Sequence, residues 1–138
     1  MANLRIGEVA QQAGIATSAL RYYEKVGLLP APARVSKRRQ YDQNILGRIR
    51  IILLARDAGF SVSETRSFFK GFPVGTTPAR RWREMAERKL AELNRLIERI
   101  EAMKAILRAS FNCECRELSD CERLIVEKNR CGNTSTNC

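Results

Sequence analysis

Between Pro78 and Ala109 the chain runs for about 32 residues without a glycine or a second proline, and no other feature restricts its fold as strongly. Proline is well placed in a helix first turn, where its missing N–H has no intrahelical partner anyway. At ~1.5 Å per residue the run predicts a helical rod of about 48 Å, far longer than a small head needs. Ala86, Leu90, Leu93, Ile97 and Ile100 alternate spacings of four and three, and Leu96, Met103, Ile106 and Leu107 widen the stripe. Glu84, Arg88, Arg95, Glu98 and Arg99 decorate the other faces at spacings that support a helix. Such a stripe on an isolated rod stays in water, so it calls for a partner rod. The simplest partner is the same helix of a second copy, a homodimer; a chain folded back on itself is the alternative.

Ahead of the rod the sequence reads as short helices. Ile6, Val9, Ala10 and Ala13 share one helical face, which Gly14 ends as a left-handed cap. Thr17 is the expected N-cap of a second helix over 18–26, with Leu20 and Tyr23 inward and Gly27 closing it. Two helices joined by about three residues around a glycine make a helix-turn-helix, whose second helix enters the major groove. Pro30 and Pro32 then forbid helix, and the stretch from Arg34 to Tyr41 suits a small hairpin, or wing. Asp42 is the expected N-cap of a third helix carrying Ile45, Leu46, Ile49, Ile52 and Leu53, which Gly59 ends. Ser61 and Glu64 form a capping box for a fourth, which buries Val62, Phe68 and Phe69 and stops at Gly71-Phe72-Pro73.

Charge says what such a head would bind. Lys and Arg number 25 against 15 acids, a formal charge of +10. The excess is uneven: residues 1–70 hold 12 basic and 5 acidic side chains, residues 71–138 hold 13 and 10. Between Pro30 and Arg50, Arg34, Lys37, Arg38, Arg39, Arg48 and Arg50 face Asp42 alone. A basic patch of this kind points to a polyanion, double-stranded DNA above all. For Arg34, Arg48 and Arg50 a merely solvated face is the competing reading.

Other chemistry is excluded or unsupported. The chain has no histidine, so it can build neither an imidazole base nor a His-ligated metal site. Its eight glycines are scattered rather than gathered in a phosphate loop. Catalysis is not expected. No apolar run approaches the ~18 residues of a membrane helix, and MANLRIGEVA lacks a basic segment followed by an apolar stretch. A cytoplasmic chain without membrane contact is the expectation.

All five cysteines follow residue 112: Cys113, Cys115, Cys121, Cys131 and Cys138. A disulfide scaffold would spread an even number through the fold; this clustering suggests a thiolate site. Cys113 and Cys115 in an extended loop present donors to one centre, and Cys121 can complete a three-thiolate set for a soft ion. Cys131 and Cys138 fall in a Gly/Asn/Thr-rich tail, and their role is open. Glu114, Glu117 and Asp120 read as solubilising rather than ligating. A carrier that buffers metal or electrons and docks on acidic partners is the reading from another class, but it needs neither helix-turn-helix nor rod.

Several strings carry a family resemblance: Ile6-Gly7-Glu8-Val9-Ala10, the block from Ser18 through Arg21-Tyr22-Tyr23-Glu24 to Gly27-Leu28-Leu29-Pro30, Arg39-Gln40-Tyr41-Asp42, and Ala58-Gly59-Phe60-Ser61-Val62-Ser63-Glu64. With these the chain resembles the MerR family of transcription regulators from about residue 5 to 121. The resemblance implies a mostly α fold: a winged helix-turn-helix head over 1–75, a long antiparallel coiled-coil dimerisation helix over 76–110, and a cysteine-containing effector loop and flexible tail over 111–138. It also implies a dimeric activator on a promoter whose two recognition elements for RNA polymerase are badly phased. Effector binding lets such a protein bend and underwind the DNA, at several kcal/mol that protein–DNA contacts offset.

By the same resemblance Arg21 contacts bases or phosphate, with Thr17 and Ser18 near the helix start, and the Tyr22 hydroxyl reaches a phosphate. Tyr23 closes the core. Arg39 and Tyr41 form the wing's phosphate-contacting pair, aided by Lys37 and Arg38. Many relatives carry glycine in the wing turn, where this chain has Ser36-Lys37-Arg38. Cys113 and Cys121 have the spacing of the family's copper, silver and gold sensors. With Cys115 they also match the last three ligands of its superoxide-responsive iron–sulfur member, whose first cysteine falls here at Ser110. Relatives for divalent mercury or zinc carry a cysteine where this chain has Thr76-Thr77-Pro78. A soft ion of the Cu(I), Ag(I) or Au(I) kind is therefore the expected effector, with a [2Fe–2S] cluster or thiol redox switch as the alternative.

Overall fold

The computed structural model describes residues 3–70 and 74–131, with side chains as far as Asn129. Among the described residues nine elements follow one another: β1 (Asn3–Arg5), α1 (Ile6–Ala13), α2 (Thr17–Lys25), β2 (Ala33–Val35), β3 (Arg38–Asp42), α3 (Ile45–Asp57), α4 (Val62–Phe69), α5 (Pro78–Ser110) and α6 (Leu118–Cys131). The fold is mostly α, with a winged helix-turn-helix head and a long helix, as expected. By internal contacts the chain divides into two units, residues 1–92 and 93–138.

In the first unit α1 ends on Gly14 at φ 68°, ψ 30°, a left-handed cap that lets the chain turn within three residues into α2. α2 is the second helix of the predicted motif, but its N-cap is Ala16, with no side-chain cap; Thr17 is already helical. Asp42 is likewise not a cap: its carboxylate accepts from the Asn44 amide at 2.9 Å, and Asn44 precedes α3. Thr17 cannot cap because a side-chain cap needs an extended backbone at its own position; Asp42 is extended, as the last residue of β3, but Gln43 and Asn44 separate it from α3. The capping box is present: the Glu64 amide donates to Ser61 Oγ at 3.1 Å and the Ser61 amide to the Glu64 carboxylate at 2.7 Å.

A three-stranded antiparallel sheet has the order β1-β3-β2. Asn3 to Arg5 pair with Asp42 to Gln40, an edge the sequence did not announce. The core joins Val9, Leu20, Leu28, Ile49 and Ile52, all essentially sealed from water. Truncating Ile49 to alanine there would cost about 2–5 kcal/mol. A second cluster packs Ala55, Phe60, Phe68 and Met85 with Trp82, which fastens the start of α5 to α3 and α4. Val62 is half-buried against the first cluster and Phe69 against both, and Thr65 is the buried side chain of α4 that periodicity missed. The expected stop at residues 71–73 lies outside the described residues.

In the second unit the stripe on α5 is uncovered: Leu93, Leu96, Ile97, Ile100, Met103, Ile106 and Leu107 are all exposed. After a turn at 111–117 the chain re-enters helix as α6, where loop and tail were expected. From Glu117 to Cys131 there is neither Gly nor Pro, and Leu118, Cys121, Leu124 and Ile125 recur at helical spacing. No described helix is long and apolar enough to cross a membrane.

Candidate DNA interface and thiolate site

Burying Leu20 and Tyr23 fixes the roll of α2 and turns Ser18, Arg21 and Tyr22 outward; Thr17 is half-buried. Tyr22 keeps 49% of its surface exposed, so its hydroxyl is accessible. The wing is a tight hairpin whose turn holds Ser36 at φ 51° and Lys37 at φ 66°. Positive φ at both central positions is the two-residue hairpin turn of type I′, which matches strand twist, and here neither residue is glycine. Lys37 and Arg38 project from the hairpin into solvent.

Registry pairs Arg34 with Arg39 directly across the hairpin. Like charges opposite one another oppose pairing, so strand pairing gains nothing from this placement. Arg34, left open by sequence reasoning, thus joins the basic face; the register, unknown before folding, was the missing signal. Arg48 leaves that face. Its Nε donates to the Leu28 carbonyl at 2.7 Å and its guanidinium lies 4.0 Å from the centre of the Phe69 ring. Burial lowers its pKa, as for a cation that serves the fold.

Tyr41 is corrected in the same way. It is 2% exposed and donates its hydroxyl to Glu24, so that hydroxyl is not offered to a phosphate. Burial first, then the hydrogen bond to Glu24, raises its pKa far above that of an ordinary phenol. Glu24 also pairs with Arg39, Nε to carboxylate 3.7 Å. One carboxylate on α2 therefore holds two residues of β3 and docks the wing on the second helix. The charges of Arg39 and Arg21 both act on the Tyr41 hydroxyl, which brings the two candidate DNA-contacting arginines to one node. Sequence reading missed Glu24, an acid inside a basic motif.

The thiols come together at the other end. The Cys113 amide donates to the Ser110 carbonyl at 3.2 Å, which folds the chain off the end of α5, and Cys121 lies in the first turn of α6. The Sγ atoms of Cys113, Cys115 and Cys121 lie within 4.8 Å of one another, with Cys113 exposed and the others half-buried. Cys113 and Cys115 share a hydrogen bond, 2.9 Å between sulfurs. It holds the Cys113 thiol below its ordinary pKa, while the same contact pushes Cys115 up to about 12. Two metal–thiolate bonds of ~2.3 Å span at most about 4.6 Å, so these sulfurs fit one soft ion with sub-ångström adjustment. The Cys131 side chain and Cys138 lie outside the described residues.

Comparison with known proteins bears on the head and the long helix. Residues 4–71 match the MerR HTH family regulatory protein family, and residues 46–109 match the family described as MerR, DNA binding. The chain is 31% identical over 120 residues to the HTH-type transcriptional regulator HmrR of Sinorhizobium medicae, which covers 86% of this chain and 82% of that one. It is 29% identical over 136 residues to the heavy metal-dependent transcription regulator 2 of Rhizobium meliloti, 97% and 91% of the two chains. The transcription regulator PbrR691 from Ralstonia metallidurans, solved in complex with lead(II), superposes with a TM-score of 0.68 at 25% identity, over 83% of this chain and 91% of that one. The chain therefore belongs to the MerR family, and it is a DNA-binding transcription regulator.

Proposed function

We propose that two copies of this chain pair along α5 in the cytoplasm, grip promoter DNA with their heads, and activate RNA polymerase by distorting the DNA. A soft thiophilic ion at Cys113, Cys115 and Cys121 is the trigger. The single observation that carries this reading is the convergence of three sulfurs directly after the long helix. Residues 1–75 act as the DNA-binding domain, 76–110 as the dimerisation helix and 111–138 as the sensor. The exposed stripe on α5 supports pairing, because water would otherwise cover a continuous apolar surface. Ser18, Arg21 and Tyr22 face the major groove, with Thr17 at the helix start, while Arg34, Lys37, Arg38 and Arg39 serve as phosphate partners. Tyr41 supports them from behind by fixing Glu24.

The expected ions are Cu(I), Ag(I) and Au(I), soft enough to prefer sulfur and able to bind few thiolates; the lead(II) bound by the structural relative is another ion that accepts sulfur donors. Binding orders the turn at 111–117 and shifts a two-state balance in the heads by ~1–3 kcal/mol, the usual scale of such linkage. The test is operator binding and in-vitro transcription with Ag(I). Eight phosphate contacts in a dimer give a slope of log affinity against log salt of about −7. Cys113→Ser and Cys121→Ser should abolish induction and leave operator affinity intact; a variant that still responds fully refutes the sensor.

A redox sensor with a [2Fe–2S] cluster is the second reading, favoured by the same three sulfurs. It needs a fourth thiolate. Ser110, where that pattern would have one, turns its hydroxyl to the Ile106 carbonyl at 2.8 Å. The visible spectrum of anaerobically purified protein separates the two: a coloured cluster favours redox, a colourless protein that takes up one ion per chain favours metal.

A further inference from the structure

A linear two-thiolate site sets its sulfurs on opposite sides of the ion and leaves no room for a third between them. Here Cys115 Sγ stands 2.9 Å from Cys113 Sγ, and Cys121 Sγ is within 4.8 Å of both. Three sulfurs within that spread can all reach one common centre. A tetrahedral site would need a fourth donor, and among the described residues no carboxylate joins the three sulfurs within that distance. The Ser110 hydroxyl is bonded to Ile106, the Asp120 carboxylate to Arg123 at 2.9 Å, and Glu117 accepts from Ser119 at 3.5 Å. The chain has no histidine to complete the set.

The geometry points to Cys115 as the residue that sets the ion class: Cys113 and Cys121 suffice for a linear monovalent ion, and Cys115 adds trigonal-pyramidal ions that demand three thiolates, trivalent arsenic being the type case. The inference rests on the metal-sensing reading above and deepens it.

Charge favours the same class. Three thiolates carry −3, which a trivalent centre cancels, whereas a monovalent ion held by all three would leave −2. The three donors come from one chain, because Cys113, Cys115 and Cys121 converge within a single copy. Each subunit then binds one ion by itself. The step balances without an oxidant. Arsenous acid, As(OH)3, reacts with three cysteine thiols; three As–O and three S–H bonds break, three As–S bonds form, and three waters leave.

The experiment uses the full-length chain, reduced and anaerobic, with arsenite and Ag(I) as probes. Arsenite should consume three of the five thiols, leaving two, with one arsenic per chain and a new sulfur-to-arsenic absorption in the near ultraviolet. Cys115→Ser should lose at least about 100-fold in arsenite affinity, the scale of one lost tether in a multidentate set, and keep Ag(I) affinity within about threefold. Cys115→Ala, read by the same two titrations and by operator binding, shows that the loss comes from the missing sulfur and not from a disturbed fold. If arsenite consumes two thiols, or Cys115→Ser binds arsenite like the parent while Ag(I) still binds, the inference is overturned and the metal-sensing reading survives. If neither probe consumes thiols of the parent protein, both fall.

Discussion

The wing turn offers the sharpest test, because one residue there is expected to act on stability and on DNA binding with opposite signs. Lys37 sits at φ 66°, next to Ser36 at φ 51°. The left-handed region costs an L-residue about 1–2 kcal/mol. Replacing Lys37 by glycine removes that strain but gives the unfolded chain extra freedom worth roughly 0.5–1 kcal/mol. The net expectation for Lys37→Gly is a gain of about 1 kcal/mol, or about 4–8 °C in melting temperature for a head of this size. The same change deletes one exposed cation per copy. For a dimer the salt slope of operator binding should flatten by about 1.8, with affinity falling most at low salt. Lys37→Ala is the control: it deletes the charge and keeps the strain, so it should flatten the slope equally and raise the melting temperature not at all. Thermal unfolding by circular dichroism and fluorescence anisotropy at several salt concentrations read both numbers. A glycine variant no more stable than the alanine one would refute the strain argument. An unchanged slope in both variants would remove Lys37 from the interface.

Three further outcomes follow from the geometry. Arg21→Ala should weaken operator binding by about 1–3 kcal/mol and relax base preference in competition binding, since Arg21 projects from the outer face of α2. Tyr41→Phe should cost about 1–2 kcal/mol of stability in denaturant melts by taking one partner from Glu24, while the salt slope stays as it was; a flatter slope would restore Tyr41 to the phosphate contacts. The Glu64 carboxyl is held below its usual range, first by the Ser61 amide and then by Lys89 at 3.1 Å. Its contribution is therefore present above the unfolded value of about 4.3 and lost as pH falls through the lower folded value. Glu64→Gln should be less stable than the parent at pH 7 and converge with it in acid melts; a constant gap would break the linkage.

The long helix, the glycine-ended turns, the Ser61–Glu64 box and the helix-turn-helix were legible in the sequence because each depends on terms acting within a few residues: apolar spacing, capping and positive φ. Helix α6 was equally local, in its glycine-free run and its Leu118, Cys121, Leu124 spacing, yet the cysteine pattern drew the reading towards a loop. Cys113, Cys115 and Cys121 were identifiable as a set from spacing alone, but their convergence required α6 to carry Cys121 back to the turn. Strand β1 escaped notice because three residues gain strand character only from a partner almost forty positions away.

What each arginine and tyrosine does was decided by tertiary structure. Arg34, Arg39 and Arg48 are alike as letters, yet one faces a like charge across a hairpin, one is drawn to Glu24, and one caps a carbonyl over Phe69. Tyr22 and Tyr41 both looked able to reach DNA, and Glu24, seventeen residues before Tyr41, took the second hydroxyl inward. Helix periodicity is written into neighbouring residues; whether a polar tip meets water, a carboxylate or a phosphate depends on which distant segment arrives beside it, and only the folded chain sets that.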